Sequence, residues 1–360
     1  MTRIRVLLVA PSLEIVGGQS VQAERLMEAL SKEPKAEITF QPTNPRLPGL
    51  FAYLSRIKYL RTVATEILYT AQVLSRSRNA DIIHVFAAGY SSFLLTVVPV
   101  IVASRLRGRP VVLNHHDGRA ADHFRRSRLA LYLARKAAAI VVPSAYLVNV
   151  FAKFHLQATA IFNIVDTTQF CFRPRAKPAP RFLHNRGLEP HYNVACSIRA
   201  FGIVQRRYPH ATLDIAHDGP SRNHLESLVA RLSLKNVRFL GRLDQSAMRD
   251  LYNDCDIYLM SPEIDNMPLS VLECFASGIP VVSTLVGGVP DIVEDGRTGL
   301  LAPPNDHEAL ARAALRIIEE KNLALTLATN ALAQCARYEP ETVARNWIAL
   351  YCCVNQQVQN

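Results

Sequence analysis

SPEIDNMPLSVLECFASGIPVVSTLVGGVPDIVEDGRTGLLAPPND, running from Ser261 to Asp306, opens with an acid in a loop, Asp265, and carries a second acid eight positions on, Glu273. Between them Ser270, Val271 and Leu272 lead into Glu273 on the first turns of a helix, whose unpaired amides suit an anion. Pro280, Val281 and Val282 then read as a buried strand, and Gly287 and Gly288 form a glycine turn before Asp291 and Glu294. Taken alone, two acids at this spacing describe a solvated helix face and two glycines a turn. The order of loop acid, helix, strand and turn across more than forty residues carries more.

The same alternation continues to either side. Ile4 to Ala10, Asp81 to Phe86, Pro110 to Leu113 and Ala138 to Val142 are continuous apolar runs, read as strands buried on both faces of a parallel sheet. Thr212 to Ala216, Val237 to Leu240, Asp256 to Met260 and Pro280 to Ser283 repeat the plan, each run separated by helix-forming sequence. The expected class is α/β, with two Rossmann-like doubly wound domains at 1–165 and 166–340 facing each other across a cleft. The proline- and arginine-rich stretch Phe170 to Pro180 reads as a linker or the entrance to the second domain. A last helix at about 341–356, with Val343, Trp347, Ile348 and Tyr351 on one side, is expected to pack back on the first domain.

With 360 residues and 49% hydrophobic content the chain can bury large cores. Phe93 to Ala103, the longest apolar run, holds a proline and meets Arg105 and Arg107, so it reads as a buried helix too short to cross a bilayer. The apolar Ile4 to Ala10 lacks the layout of a signal peptide, which points to a cytoplasmic protein. Seven cysteines form no CxxC pair and no zinc-type spacing, so reduced thiols are expected. The formal charge of +11 sits mainly in the first half: nine Lys or Arg against two Asp between Arg105 and Lys136, and six against Glu66 between Pro45 and Arg78. Such a surface attracts anions, but no zinc-finger or RNP-type pattern accompanies it, which argues against nucleic acid.

The stretch around Asp265 and Glu273 resembles the donor-binding signature of the family 4 retaining glycosyltransferases, which have the GT-B fold. The resemblance implies that Glu273 binds the donor ribose and Asp265 the transferred sugar, with Asn266, Met267, Pro268 and Leu269 lining the loop between them. Pro268 stands where the family commonly has a glycine N–H, a donor that proline lacks. Gly17 and Gly18 resemble the glycine turn after the first strand. His116 in LNHHDG stands where relatives carry a cleft histidine, with His115 as its rival. Asn163 and Asp166 resemble the crossover between domains, and Gly219 a second glycine turn, although His217 replaces a usual glycine. Gly241 and Arg242 match the segment that meets the base. In FLHNRGLEPHYNV, Arg186 matches a diphosphate-binding arginine, but the lysine expected five residues later falls at His191 or Tyr192.

The resemblance implies a hexosyltransferase-type enzyme that retains anomeric configuration, needs neither metal nor cofactor, and takes a nucleotide-sugar donor. Arg186 and the helix-start amides would stabilise the departing diphosphate, with Asp265 and His116 on the sugar and Glu273 on the nucleoside. A catalytically impaired sugar-nucleotide-binding homologue is the alternative, motivated by His191 and Pro268. A nicotinamide dehydrogenase is disfavoured, because the first glycine turn has no GxGxxG. The acceptor is expected among glycans or lipid-linked, cell-envelope precursors. LPGLFAYLSRIKYLRTVATEILYTAQVL interleaves Arg56, Lys58 and Arg61 with Leu54, Ile57, Leu60 and Val63, a pattern of an interfacial helix on an anionic membrane or of a helix packed on its own sheet.

Overall fold

The computed structural model describes residues 3–14, 17–47 and 58–359. The chain divides into two compact units, Met1–Ile164 with Glu339–Asn360, and Val165–Tyr338. The first half of the expected interfacial segment, including Leu54, Arg56 and Ile57, lies outside the described residues.

The first unit runs β1 (Ile4–Ala10), α1 (Gly18–Ser31), β2 (Ala36–Pro42), α2 (Lys58–Arg76), β3 (Ile82–Ala87), α3 (Tyr90–Arg107), β4 (Val111–His115), α4 (Ala120–Arg126), α5 (Arg128–Ala134), β5 (Ala139–Val142), α6 (Ala145–Ala152) and β6 (Thr159–Ala160). Its strands form one parallel sheet in the order β2-β1-β3-β4-β5-β6. Successive side chains of a strand face opposite ways. Leu7, Val9, Ile83, Val85, Val111 and Leu113 therefore face a core built with α2 to α6, while Val6, Leu8, Ile82 and Val112 face the other.

That second core is closed by the chain's last helix, Pro340–Gln359, whose Val343, Trp347 and Tyr351 are buried there. His84 in β3 stacks on Trp347 at 4.3 Å, and its Nδ1 lies 2.7 Å from the Tyr351 hydroxyl. Asn114 Nδ2 donates to His84 Nε2 at 3.1 Å, so Nδ1 carries the proton.

The second unit runs β7 (Arg181–His184), α7 (Val194–Arg207), β8 (Thr212–Ile215), α8 (Arg222–Arg231), β9 (Val237–Phe239), α9 (Gln245–Asp254), β10 (Ile257–Leu259), α10 (Leu269–Ser277), β11 (Val281–Thr284), β12 (Leu300–Ala302), α11 (His307–Glu319) and α12 (Leu323–Gln334), with the closing helix of the first unit becoming α13. Its sheet is also parallel, ordered β12-β11-β10-β7-β8-β9. The order reverses between β7 and β10, and ligands of open parallel sheets collect beyond strand ends at such a point.

Two expectations change. Phe170 to Pro180 is no loose linker: the Arg175 side chain is 1% exposed, and it donates to the carbonyls of Tyr252 and Cys255 at the end of α9 and of Ser277 at the end of α10. Helix ends leave carbonyls unpaired, and one planar guanidinium serves two of them here. Buried Asp256 then holds Arg173 and Arg181 at 2.5 and 2.9 Å. The apolar run at Phe93 also extends further than expected. Helix α3 takes in Tyr90 to Ser92 and Ser104 to Arg107 with Pro99 inside it, which makes it long and apolar enough to cross a membrane by length and composition. It is buried on one face only, through Phe93, Val97, Val100 and Ala103.

Among the described residues all seven cysteines are free thiols, four of them buried.

Candidate donor site

Strand β7 ends at His184, and the chain turns at once into Asn185 and Arg186. The next strand over, β10, ends at Leu259 and leads into the loop of Asp265. Two strand ends at the order reversal thus bring two sequence-distant groups together. Arg186 Nη2 lies 2.7 Å from Asp265 Oδ2, with side chains 17% and 8% exposed. Burial opposes charge on Arg186, but the Asp265 carboxylate, with Tyr192 and Tyr258 beside it, raises the guanidinium pKa above its usual value. The guanidinium also covers the Tyr192 ring at 4.5 Å.

Glu273 is tied to the same strand end by a chain of hydrogen bonds. The Tyr252 hydroxyl donates to Glu273 Oε2 at 2.8 Å and accepts from Asn185 Nδ2 at 2.7 Å. Asn185 Oδ1 accepts from the Tyr258 hydroxyl at 2.7 Å, and Ser270 Oγ, 2.8 Å from that hydroxyl, supplies its other bond. Burial, with the Glu273 carboxylate next, pushes the Tyr252 hydroxyl well above its usual pKa, so it stays protonated and donates. Asn185, Tyr252, Tyr258 and Ser270 were not legible as site residues. Asn185 stands beside Arg186, but the three others read as ordinary core or helix positions.

The loops around the pair are held by backbone contacts. Glu263 N donates to His191 O, and Gly288 N to Asp265 O. Gly287 has φ +53°, and a Cβ there would collide with the Asp265 carbonyl. At Gly219 a Cβ would press on the Leu188 backbone, and Ser221 N donates to Leu188 O, so this turn packs on the loop that carries Arg186. Asp265 Oδ1 accepts from the Asn266 backbone amide at 2.9 Å. Met267 is buried, Pro268 is the N-cap of α10, and Leu269 is its first residue. His191 lies in a 3-10 turn, its ring 4.2 Å from that of Tyr192. Arg242 is exposed in the loop before α9, next to Gly241 at φ +72°.

Gly17, Gly18, His115, His116 and Asn163 belong to the first unit, and Asp166 to the start of the second. Gly17 is the N-cap of α1 and Gly18 its first residue, and a Cβ on either would meet nothing within 4 Å. His116 follows β4 and stacks on Phe86 at 5.0 Å. Burial, helped by the neighbouring His115, pushes its pKa down to about 3, so the ring is neutral. Its rival His115 is sealed among Phe93, Phe124 and Phe151. Asn163 is buried, and Asp166 caps a 3-10 turn just beyond it.

Residues 168–334, nearly the whole second unit, match the model of the family described as Glycosyl transferases group 1. An exopolysaccharide phosphotransferase of Streptomyces coelicolor is 31% identical over 183 residues, 50% of this chain and 19% of that protein. The glycogen synthase of Mycobacterium tuberculosis H37Rv is 26% identical over 262 residues, 68% of this chain and 62% of that enzyme. The chain therefore spans less than two thirds of the length of either relative. Among solved structures, Anabaena HepE in complex with UDP-glucose is similar with a TM-score of 0.77, 21% identity, and coverage of 98% of this chain and 100% of that one. Likeness at that identity establishes the fold, which is GT-B. The second unit, over residues 168–334, is thus similar to the group 1 glycosyl transferases.

Proposed function

We propose that this chain transfers a hexose from a UDP-sugar to a glycan or a lipid-linked glycan precursor, with retention of anomeric configuration. The observation that carries the reading is the buried Arg186–Asp265 pair at the order reversal, with Glu273 tied to the same strand end through Tyr252 and Asn185. Burying two charges costs several kcal/mol of desolvation, so such a pair is a weak device for stability alone. A site that must hold a cation against a diphosphate and a carboxylate against a sugar has a use for both. The choice of UDP draws on Anabaena HepE, solved with UDP-glucose, and that of a polysaccharide-type product on the glycogen synthase and exopolysaccharide relatives.

In this mechanism Glu273 accepts hydrogen bonds from the ribose diol, held in place by the Tyr252 hydroxyl. Arg186, the first amides of α10 and the His191 ring stabilise the negative charge that grows on the diphosphate as the glycosidic bond breaks. The leaving phosphate takes the acceptor proton. Asp265 orients the transferred sugar and pairs with Arg186. In the first unit, His116 and the Gly17–Gly18 turn take the sugar and acceptor roles.

A sugar-nucleotide-binding homologue without turnover is the second reading, favoured by His191 and Pro268 at positions where a lysine and a glycine are expected. A panel of UDP- and GDP-sugars, scored by thermal shift and by nucleoside diphosphate release, separates the two. Binding with release supports the transferase, binding without release the homologue, and no binding contradicts both.

A further inference from the structure

Helices α2, α3 and α5 lie side by side on one face of the first sheet, with α3 packed against both others. Their outer surface is apolar. On α2, Leu60, Val63 and Ile67 are exposed, Ile67 by 66%. On α3, Leu95, Val98, Val102 and Leu106 follow at helical spacing, forming a stripe opposite the buried Phe93, Val97 and Val100. Leu129 and Tyr132 extend the surface on α5, with the Lys136 ammonium 4.7 Å above the Tyr132 ring. Nine of the eleven exposed large hydrophobic residues among the described ones sit in this one layer. Single exposed apolar residues are normal, but a contiguous patch marks an interaction surface.

Charge selects the partner. The three helices carry six Lys or Arg and one acid, the half-buried Glu66. Arg105, Arg107 and Arg128 are exposed at the edge of the patch with no ion pair to an acid among the described residues, and exposed Arg125 lies near Asp122, which pairs with Arg126. An apolar stripe rimmed with arginines is the pattern of a surface that lies in the headgroup region of an anionic bilayer. A second copy of the chain would bring like charges together across the contact. Spanning by α3 is disfavoured as well, because Phe93, Val97 and Val100 would have to leave the core that the sheet depends on.

We propose that the outer face of α2, α3 and α5 docks on anionic phospholipid, with the apolar stripe in the interface and the arginines at the phosphates. The inference rests on this surface alone and does not depend on the donor site.

The test is co-sedimentation of the full chain with phosphatidylglycerol-containing vesicles and with phosphatidylcholine vesicles. Binding is expected to the anionic vesicles, to be weaker on the neutral ones, and to fall at about 1 M salt, where the Debye length is about 3 Å. The Arg105→Gln, Arg128→Gln pair should weaken binding roughly 30-fold, and the Val98→Glu, Ile67→Glu pair by more than about 100-fold. All four side chains are exposed, so unchanged melting and unchanged UDP binding in the variants separate loss of docking from loss of fold or of the donor site. Absence of binding, equal binding to both vesicles, or a lipid-free dimer that Val98→Glu dissociates would each overturn the proposal. A protein that binds vesicles but releases no diphosphate from any donor would sink the proposed activity and leave the docking face standing.

Discussion

Arg186 and Asp265 meet at 2.7 Å with little water around either, so neither can be removed without consequence for the other. Arg186→Ala is expected to lower kcat about 10²- to 10³-fold with a smaller effect on donor binding, because its charge matters most as the diphosphate departs. It also leaves the Asp265 carboxylate buried alone, so the melting temperature should fall, and adding Asp265→Asn should restore part of it. Unchanged turnover in Arg186→Ala would remove that residue from the site. Tyr252 acts through Glu273 and is a positioning residue. Tyr252→Phe leaves the carboxylate one hydrogen bond short, and UDP should bind roughly five-fold more weakly by calorimetry, with kcat nearly unchanged. An equal fall in kcat would place Tyr252 closer to the chemistry than proposed.

At the scale of elements, Arg175 joins the ends of α9 and α10 and sits beside Asp256, which also pairs with Arg173 and Arg181. Arg175→Ala uncovers several buried carbonyls and should destabilise the chain by about 3–5 kcal/mol in chemical denaturation. Arg175→Lys should recover little, since an ammonium lacks the planar fork. The composition of Phe170 to Pro180 suggested a linker, because the partners of its arginines lie some eighty and a hundred residues away and local pattern cannot show them. Other elements escaped reading for local reasons. Strand β7, RFLH, is four residues long and carries two polar side chains, yet it is central to its sheet and aims Arg186. Strand β2, AEITFQP, alternates polar and apolar at the sheet edge rather than running continuously apolar. The strands β1, β3, β4 and β5 were legible because burial on both faces leaves only apolar choices for most positions. Of the residues gathered at the two strand ends, Asp265 and Glu273 were singled out through the order of a long motif, and Arg186 through the resemblance of FLHNRGLEPHYNV. The Tyr252–Asn185–Tyr258–Ser270 chain was not, because hydroxyls that meet across strands leave no periodicity.

For the whole molecule, acid should act unevenly on the two units. Burial pushes the pKa values of His84 and His116 down to about 3 and that of His115 to about 4 in the first unit, and that of His184 to about 3 in the second. All lie below the unfolded value of about 6.5, so the unfolded chain binds protons that the folded one refuses. Stability is therefore full above about pH 6.5 and falls as pH drops toward 4, by about 2 kcal/mol per histidine at pH 5. With three such residues, the first unit should lose protection first in hydrogen exchange on acidification, starting where His84 meets α13. Simultaneous loss in both units would contradict this. The account as a whole turns on one claim, that the second unit gathers a nucleoside diphosphate around Arg186, the start of α10 and Glu273. A crystal structure with UDP tests it most directly. The prediction is ribose hydroxyls on Glu273, and diphosphate oxygens within hydrogen-bond reach of Arg186 and the first amides of α10. UDP bound away from these three, with Arg186 and Glu273 facing solvent, would contradict it.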